Sequence, residues 1–482
     1  MNKETKKIGI NYIYNLSFQI FSIIVPLITT PYISRVLGAE MIGIYSYTLS
    51  ISTYFIVAGS LGFPLYGQRE IAYRSNNVVE RSKLFFQIII GQLILLSTSL
   101  ILYILFVVFI ANDNKSIFYA QAIGIIGGVL ATSWFYIGIE EFRVTAIKNF
   151  IVKIISIIGL FVFVKKPSDI IIYTCIMGGS NVIGNLIILV DIKKYVDFKY
   201  LHISLKDAFK HIKPAFILGI PYYITSIYSI IDKTMLGALG SGYAEVGYYE
   251  QSQKILNLAV AIVTSLGTVL MPRLANNFGE KDYDSLRKYL DNGINITSLL
   301  GAPIMFGLIA ISSSLVPWFF GDNYNKVIIL ICVFSPLAFI MGINNLLGSQ
   351  LLVVVKKEKI LTIIILFSTL LNCTLNAILI PNKDSIGAAM ATIISELVKM
   401  IVLILYSYKY LNIGISFYCI RYILLSSIMF VAILLMKKTI LFAPIFINTL
   451  GLILIGGIVY FFILFLTRDK YIQIFIKTIV KK

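Results

Sequence analysis

Apolar and polar positions alternate along this chain on a long period. Apolar runs occupy roughly 10–34, 42–63, 84–110, 117–139, 149–164 and 170–190. A polar stretch from Asp191 to Lys213 interrupts them. Further runs occupy roughly 214–236, 246–271, 294–320, 327–354, 360–380 and 386–408, with a last pair at roughly 420–436 and 440–466. A helix needs about 20 apolar residues to cross a bilayer, so the pattern predicts an all-α polytopic membrane protein of about fourteen transmembrane helices. Backbone groups in lipid must be satisfied within the protein, which leaves helices or closed barrels. The two-residue alternation of a membrane barrel is absent.

One stretch returns. Pro31 to Tyr45 carries Arg35, then Leu37-Gly38 and Gly43-Ile44-Tyr45; about two hundred residues later stand Asp232-Lys233-Thr234-Met235-Leu236-Gly237 and then Val246-Gly247-Tyr248-Tyr249. A cation precedes the Leu-Gly pair both times. Two copies of one turn predict two pseudo-symmetric six-helix lobes, at 1–190 and 214–410, followed by two final helices and a basic tail at 411–482. Internal repeats of this kind are common in transporters, with the site between the halves.

The 191–213 stretch reads as a linker. Leu205, Ala208, Phe209 and Ile212 fall at helical spacing, Ser204 and Asp207 make a helix start, and Lys206, Lys210 and Lys213 decorate it. The expectation is an amphipathic helix lying on the cytoplasmic leaflet, with His202 and His211 as solvated surface.

Composition then narrows the class. Hydrophobic residues make up 58% of the chain and charged residues 13%, against about 25% charged in soluble domains. A net charge of +18 in a soluble protein would point to nucleic acid; here the positive-inside rule accounts for it, and no nucleic-acid partner is expected. With the amino terminus inside, the outer loops hold seven of the 41 Lys and Arg residues: Lys115, Lys165, Lys166, Lys326, Lys383, Lys437 and Lys438. Arg35, Lys233, Lys254 and Lys399 lie at or within spans, and the remaining 30 face inside. That bias predicts both termini in the cytoplasm. Cys175, Cys332, Cys373 and Cys419 are scattered and form neither a metal-ligand spacing nor a disulfide framework.

Polar groups deep in a span are costly and ask for a reason. Glu250 and Lys254 stand four apart, acid first, the favourable order for a helical ion pair; Glu396 and Lys399 stand three apart. Asn181, Asn185, Asn344, Asn345, Asn372 and Asn376 fit helix-to-helix hydrogen bonding, whereas charges at such depth fit a hydrated cavity. Arg35 and Lys233, near the outer boundary, fit either a cavity or snorkelling to headgroups. No phosphate-binding Gly-rich loop, paired histidines at metal spacing or long external loop is present. The expectation is a non-enzymatic protein without a cofactor.

Five pieces carry a resemblance. They are Arg35-Val36-Leu37-Gly38 through Gly43-Ile44-Tyr45; Tyr66-Gly67-Gln68-Arg69-Glu70-Ile71; Val316-Pro317-Trp318 through Tyr324; Gly348-Ser349-Gln350 before Lys356-Lys357-Glu358-Lys359; and Asn376 through Pro381 followed by Ile386-Gly387-Ala388-Ala389. In this order the chain resembles the bacterial polysaccharide repeat-unit flippases of the Wzx type. These stand within the superfamily that includes the MATE antiporters and the lipid II flippase. The resemblance implies two lobes around a central cavity and a location in the bacterial cytoplasmic membrane. It implies a substrate of undecaprenyl diphosphate bearing an oligosaccharide, turned to the outer face for capsule, O-antigen or other surface polysaccharide. Polysaccharide polymerase and chain-length machinery would be partners, besides membrane lipids.

On that reading Arg35, Lys233, Lys254 and Lys399 are the candidate diphosphate-binding cations. Glu250, Glu396 and Asp232 are the candidates for ion coupling. An ion-coupled exporter of small molecules is the alternative; it would want a net acidic cavity, whereas each mid-span acid here has a basic neighbour. A membrane polymerase or ligase is a third reading, disfavoured by the missing external loop.

Overall fold

The computed structural model describes residues 3–201, 203–411, 417–439 and 445–473. His202 and the tail from 474 to 482, both part of the expectations above, lie outside the described residues. Among those described, every regular element is helical. In chain order they are α1 (Lys3–Ser60), α2 (Phe63–Tyr73), α3 (Val78–Phe109), α4 (Lys115–Val129), α5 (Ser133–Gly138), α6 (Phe142–Phe163), α7 (Ile170–Asp191), α8 (Leu205–Phe209), α9 (Ile212–Leu239), α10 (Tyr243–Gly279), α11 (Tyr283–Phe319), α12 (Asn325–Phe334), α13 (Pro336–Asn344), α14 (Glu358–Leu411), α15 (Phe417–Thr439) and α16 (Ile445–Leu466).

Among the described residues, ten helices are long and apolar enough to cross a membrane, or twelve if each of two bent pairs is one span; the apolar runs predict about fourteen. Two of the ten, Ile24–Tyr73 and Glu358–Leu411, are 50 and 54 residues long. At 1.5 Å per residue, each would measure about 75–80 Å if straight, more than twice the roughly 30 Å hydrocarbon core. Each carries a break: Gly38, at φ 74°, inside α1, and Asp384, at φ 50°, inside α14. Gly38 belongs to the repeated Leu-Gly pair, so the turn expected there is present. The run expected as one helix at 327–354 is bent by 44°. Proline at the start of α13 has no N–H to continue the ladder, and Asn345–Leu352 winds as a π-helix.

The chain divides into two compact units, 1–237 with 242–247, and 238–241 with 248–482. The helix α9 thus packs with the first unit up to Gly237, whereas the sequence pattern groups it with the second half.

One core of the first unit sits where α2, α3 and α5 meet. Phe63, Ile71, Phe85, Trp134, Phe135 and Tyr136 are all buried there. Asn77 starts α3 by accepting from the N–H groups of Val79 and Glu80. Gln92 donates to the carbonyls of Gly128 and Ala131 at 3.2 and 2.9 Å, satisfying the frayed end of α4, while its own carbonyl accepts from the Trp134 indole at 3.1 Å. Gly67 gives Trp134 its room: a Cβ there would stand 2.5 Å from the indole.

The linker corrects one expectation. Ser204 does cap α8, accepting from the Asp207 N–H at 3.2 Å, but α8 ends at Phe209. His211 is not solvated surface; it is 7% exposed. Its Nδ1 meets the Tyr66 hydroxyl at 2.8 Å and its Nε2 meets the Gln87 amide oxygen at 2.9 Å. A histidine in a basic loop needs no partner, but this one closes the start of α9 onto α2 and α3, where a buried ring nitrogen must be hydrogen-bonded.

Two apolar centres stand out among the described residues of the second unit. One gathers α11, the π-helix and α14 around Leu290, Ile294, Leu347, Leu351 and Leu403. The other joins α11 to α15 and α16 around Tyr422, Met429, Ile433 and Leu452. Asp282, outside the spans, caps α11 by accepting from Ser285 N–H at 3.0 Å, and the Ser285 hydroxyl and N–H hold its carboxyl below the ordinary value.

Candidate functional site

The seven candidate residues fall in both units. Arg35, Asp232 and Lys233 belong to the first; Glu250, Lys254, Glu396 and Lys399 belong to the second.

In the first unit, Arg35 lies on α1 just before the break at Gly38. It is exposed, and its guanidinium donates to the Pro31 carbonyl at 3.2 Å. On α9, Asp232 is 4% exposed and Lys233 is half-buried. The two repeated turns meet here. A Cβ on Gly43 would collide with the Tyr243 carbonyl and stand 2.9 Å from the Gly247 nitrogen; a Cβ on Gly247 would collide with the Ala39 carbonyl. The glycines that align in the repeat, Gly43 and Gly247, therefore let α1 and the start of α10 touch backbone to backbone, the use membrane helices make of small residues.

In the second unit the predicted pair Glu396 and Lys399 comes together. On α14, Lys399 Nζ lies 2.5 Å from Glu396 Oε1. Asn344, at the end of α13, donates to Glu396 Oε2 at 2.7 Å and to the Glu396 carbonyl at 3.0 Å. The Glu396 side chain is 1% exposed and that of Lys399 is 14% exposed. Protein groups therefore hold this carboxylate. Thr392, Ser395, Glu396 and Lys399 fall three and four apart and so share one face of α14. On that face Thr392 meets the buried Tyr249 hydroxyl of α10 at 3.2 Å, and the Ser395 carbonyl accepts from Ser368 at 3.0 Å. Asn376 donates to Asn372 at 3.1 Å, both fully buried. Glu250 and Lys254 lie half-buried on α10.

The π-helix was not foreseen. It carries Asn345 and Gln350 toward α10 at Gly267, where a Cβ would stand 2.7 Å from the Asn345 oxygen and 3.1 Å from the Gln350 nitrogen. Extra-wound turns of this kind occur frequently at functional sites. The second centre missed in the sequence surrounds Asp469, a residue with no exposure that follows α16. It accepts from the Tyr422 hydroxyl at 3.0 Å and from the Tyr471 N–H at 2.9 Å, with Arg421 at 3.8 Å. The Tyr471 hydroxyl in turn donates to Asn292 at 2.8 Å, tying the chain after α16 to α11. An aspartate in a basic stretch gave no hint of burial; its side-chain partners, Tyr422 and Arg421, are distant in sequence.

With this arrangement described, comparison with known proteins gives a consistent picture. A profile described as polysaccharide biosynthesis protein matches residues 8–278, and one described as MatE matches residues 218–378. A putative O-antigen transporter of Escherichia coli (strain K12) is 23% identical over 398 residues, covering 82% of this chain and 95% of that protein. A probable low-salt glycan biosynthesis flippase of Haloferax volcanii is 22% identical over 238 residues, covering 48% of this chain and 50% of that protein. Among solved structures, the lipid II flippase MurJ in an inward closed conformation superposes with a TM-score of 0.78. It covers 95% of this chain and 99% of that one at 20% identity. An inward-facing MATE multidrug resistance transporter gives 0.67, covering 80% and 94% at 12% identity. The fold is thus that of the MurJ and MATE transporters, and, with a profile match over more than half its length, the chain belongs to the polysaccharide biosynthesis protein family.

Proposed function

We propose that the protein flips undecaprenyl-diphosphate-linked oligosaccharide repeat units across the bacterial cytoplasmic membrane for surface polysaccharide synthesis. The observation that carries this is the likeness to the putative O-antigen transporter of Escherichia coli over 95% of that relative's length, in a chain whose fold matches that of the lipid II flippase MurJ over 95% of its length. A diphosphate cannot cross hydrocarbon unaided, whereas cations held in a protein cavity can take it by charge-assisted hydrogen bonds. The protein is then a transporter rather than an enzyme, and a polysaccharide polymerase with its chain-length machinery is the consumer of its product.

In this reading the breaks at Gly38 and Asp384 divide each long helix into two crossings. Ten helices, two bent pairs and two divided helices give the fourteen spans of the apolar pattern, arranged as two six-helix lobes and a final pair. Arg35, Lys233, Lys254 and Lys399 receive the diphosphate, and Glu250, Glu396 or Asp232 carries the coupling proton or ion. Rocking of one lobe against the other completes the turn.

The test is a deletion strain complemented with each variant at matched membrane level. Deletion should leave lipid-linked repeat units on the cytoplasmic face. Lys254→Ala should cost about 2 kcal/mol of headgroup interaction, a roughly thirtyfold loss, with Lys254→Arg retaining part of the export because the charge stays while the geometry changes. Near-normal surface polysaccharide from all four alanine variants would reject these cations as the site.

Topology is checked separately. The 30-to-7 distribution of Lys and Arg puts the linker inside and the Lys165–Asp169 loop outside. In a cysteine-free background, Ser168→Cys should label in intact cells and Ser204→Cys should label only after permeabilisation. The reverse pattern overturns the orientation.

A further inference from the structure

The first unit contains an apolar cavity of about 370 Å³ that the transport reading does not use. Its walls come from α3, the end of α4, the end of α7 and the linker, with Phe86, Leu93, Leu130, Val190, Phe198 and Leu201 among them. It is open on one side: Leu93, Val190, Phe198 and Leu201 remain 37%, 66%, 49% and 48% exposed. Phe198 stands edge-on against Phe86 at 5.4 Å, so the linker forms a wall of the cavity rather than hanging away from it. The exposed residues at the opening are all apolar, the composition that a membrane protein turns to lipid.

The rim is basic. Lys83 lies one helical turn before Phe86 on α3, exposed, with its ammonium 5.2 Å from the Tyr200 ring centre. Lys199 lies between the two linker wall residues and is exposed, as is Lys193 beside Ile192. The neighbouring acids are engaged locally. Asp191 pairs with Lys194, Asp197 accepts from the Lys199 N–H at 3.0 Å, and Glu80 accepts from Asn77 at 3.1 Å. Arg81 is likewise spent on the Ser75 and Tyr195 carbonyls at 2.6 and 2.7 Å. An apolar slot with lysines at its mouth has the two elements that hold an anionic lipid: a place for a chain and charge for the phosphate.

We propose that this groove binds one acyl chain of an anionic membrane phospholipid, whose phosphate is held by Lys83 and Lys199. The bound lipid would seat the linker against α3 and α7. This holds whatever the transported substrate is.

The protein carries its own reporter. Trp134 is 3% exposed and its ring centre lies 5.8 Å from that of Phe85, a wall residue of the cavity. The only other tryptophan is Trp318, so Trp318→Phe leaves Trp134 as the sole indole. The full chain is reconstituted in phosphatidylcholine nanodiscs doped with phosphatidylglycerol or phosphatidylcholine brominated at mid-chain. Brominated phosphatidylglycerol should quench Trp134 at a roughly tenfold lower mole fraction than brominated phosphatidylcholine. Lys83→Gln with Lys199→Gln should remove that difference, and Lys83→Arg with Lys199→Arg should keep it, which separates loss of the site from loss of folding. Equal quenching by the two lipids in the protein with both lysines overturns the proposal. So does a preference that survives the double glutamine change. Equal quenching that added undecaprenyl phosphate reverses would assign the groove to the substrate's tail instead, and also overturns it.

Discussion

Gly43→Ala and Gly247→Ala should each cost about 3 kcal/mol or more, lowering the melting temperature of the detergent-purified protein and cutting surface polysaccharide in step. Each added methyl would meet a backbone carbonyl, Tyr243 in one case and Ala39 in the other. A side-chain neighbour can rotate away, whereas a carbonyl within a helix cannot move without its helix. The remaining escape is for α1 and α10 to separate, which opens the packing around Leu37, Ile42 and Ile44. Gly124→Ala is the control: nothing lies within 4 Å of a Cβ there, and alanine is the better helix former by about 1 kcal/mol. The two damaging changes address one contact, so the double variant should lose clearly less than the sum of the singles. A Gly43→Ala protein that melts with the wild type would show that the backbone approach carries no load.

The two glycines were marked in the sequence as copies of one repeat, though their contact was not. The repeat aligned Gly43 with Gly247 and placed Gly38 at a turn, because a glycine needed for close approach or a positive φ leaves its mark at one position. The helical class and the apolar runs were equally plain, since a span needs a sustained composition that any window detects. The break in the tenth run was not read: Pro336 marks it, yet it sits inside a continuous apolar run, and the π-helix after it changes the hydrogen-bond pattern without changing hydropathy. Side-chain partnerships were the least legible. The spacing of Glu396 and Lys399 suggested their pairing, but nothing local joined Glu396 to Asn344, 52 residues away. His211 meets Tyr66 and Gln87 across 145 and 124 residues, and Asp469 meets Tyr422 across 47. A polar residue whose partners come from other helices has no periodic signal of its own. The Tyr66–Ile71 motif shows the opposite case. Its residues carried the family resemblance, while its work here is structural: Tyr66 bonds His211, Gly67 underlies Trp134 and Ile71 is fully buried.

Lys399→Ala should be the most damaging single side-chain truncation in the second unit. It would remove the ammonium that faces the Glu396 carboxylate, 1% exposed, while Asn344 still donates to it. Stranding one member of a buried pair costs about 3–5 kcal/mol. Glu396→Gln is gentler. The amide keeps nearly the same shape and still accepts from Asn344, and the Lys399 side chain, 14% exposed, has a route by which its ammonium can reach a wetter position. The double variant Glu396→Gln with Lys399→Ala removes both charges of the pair. It should recover at least about 2 kcal/mol relative to Lys399→Ala alone, the coupling expected of groups in direct contact. Melting of the purified variants measures that coupling, and strict additivity would show that the pair is not an energetic unit. Export then separates two roles for the same geometry. If the pair only joins α13 to α14, the double variant regains polysaccharide along with stability. If Glu396 also carries the coupling proton, the double variant folds and melts near the wild type yet exports no better than Glu396→Gln, because the titrating group is gone from a site otherwise intact.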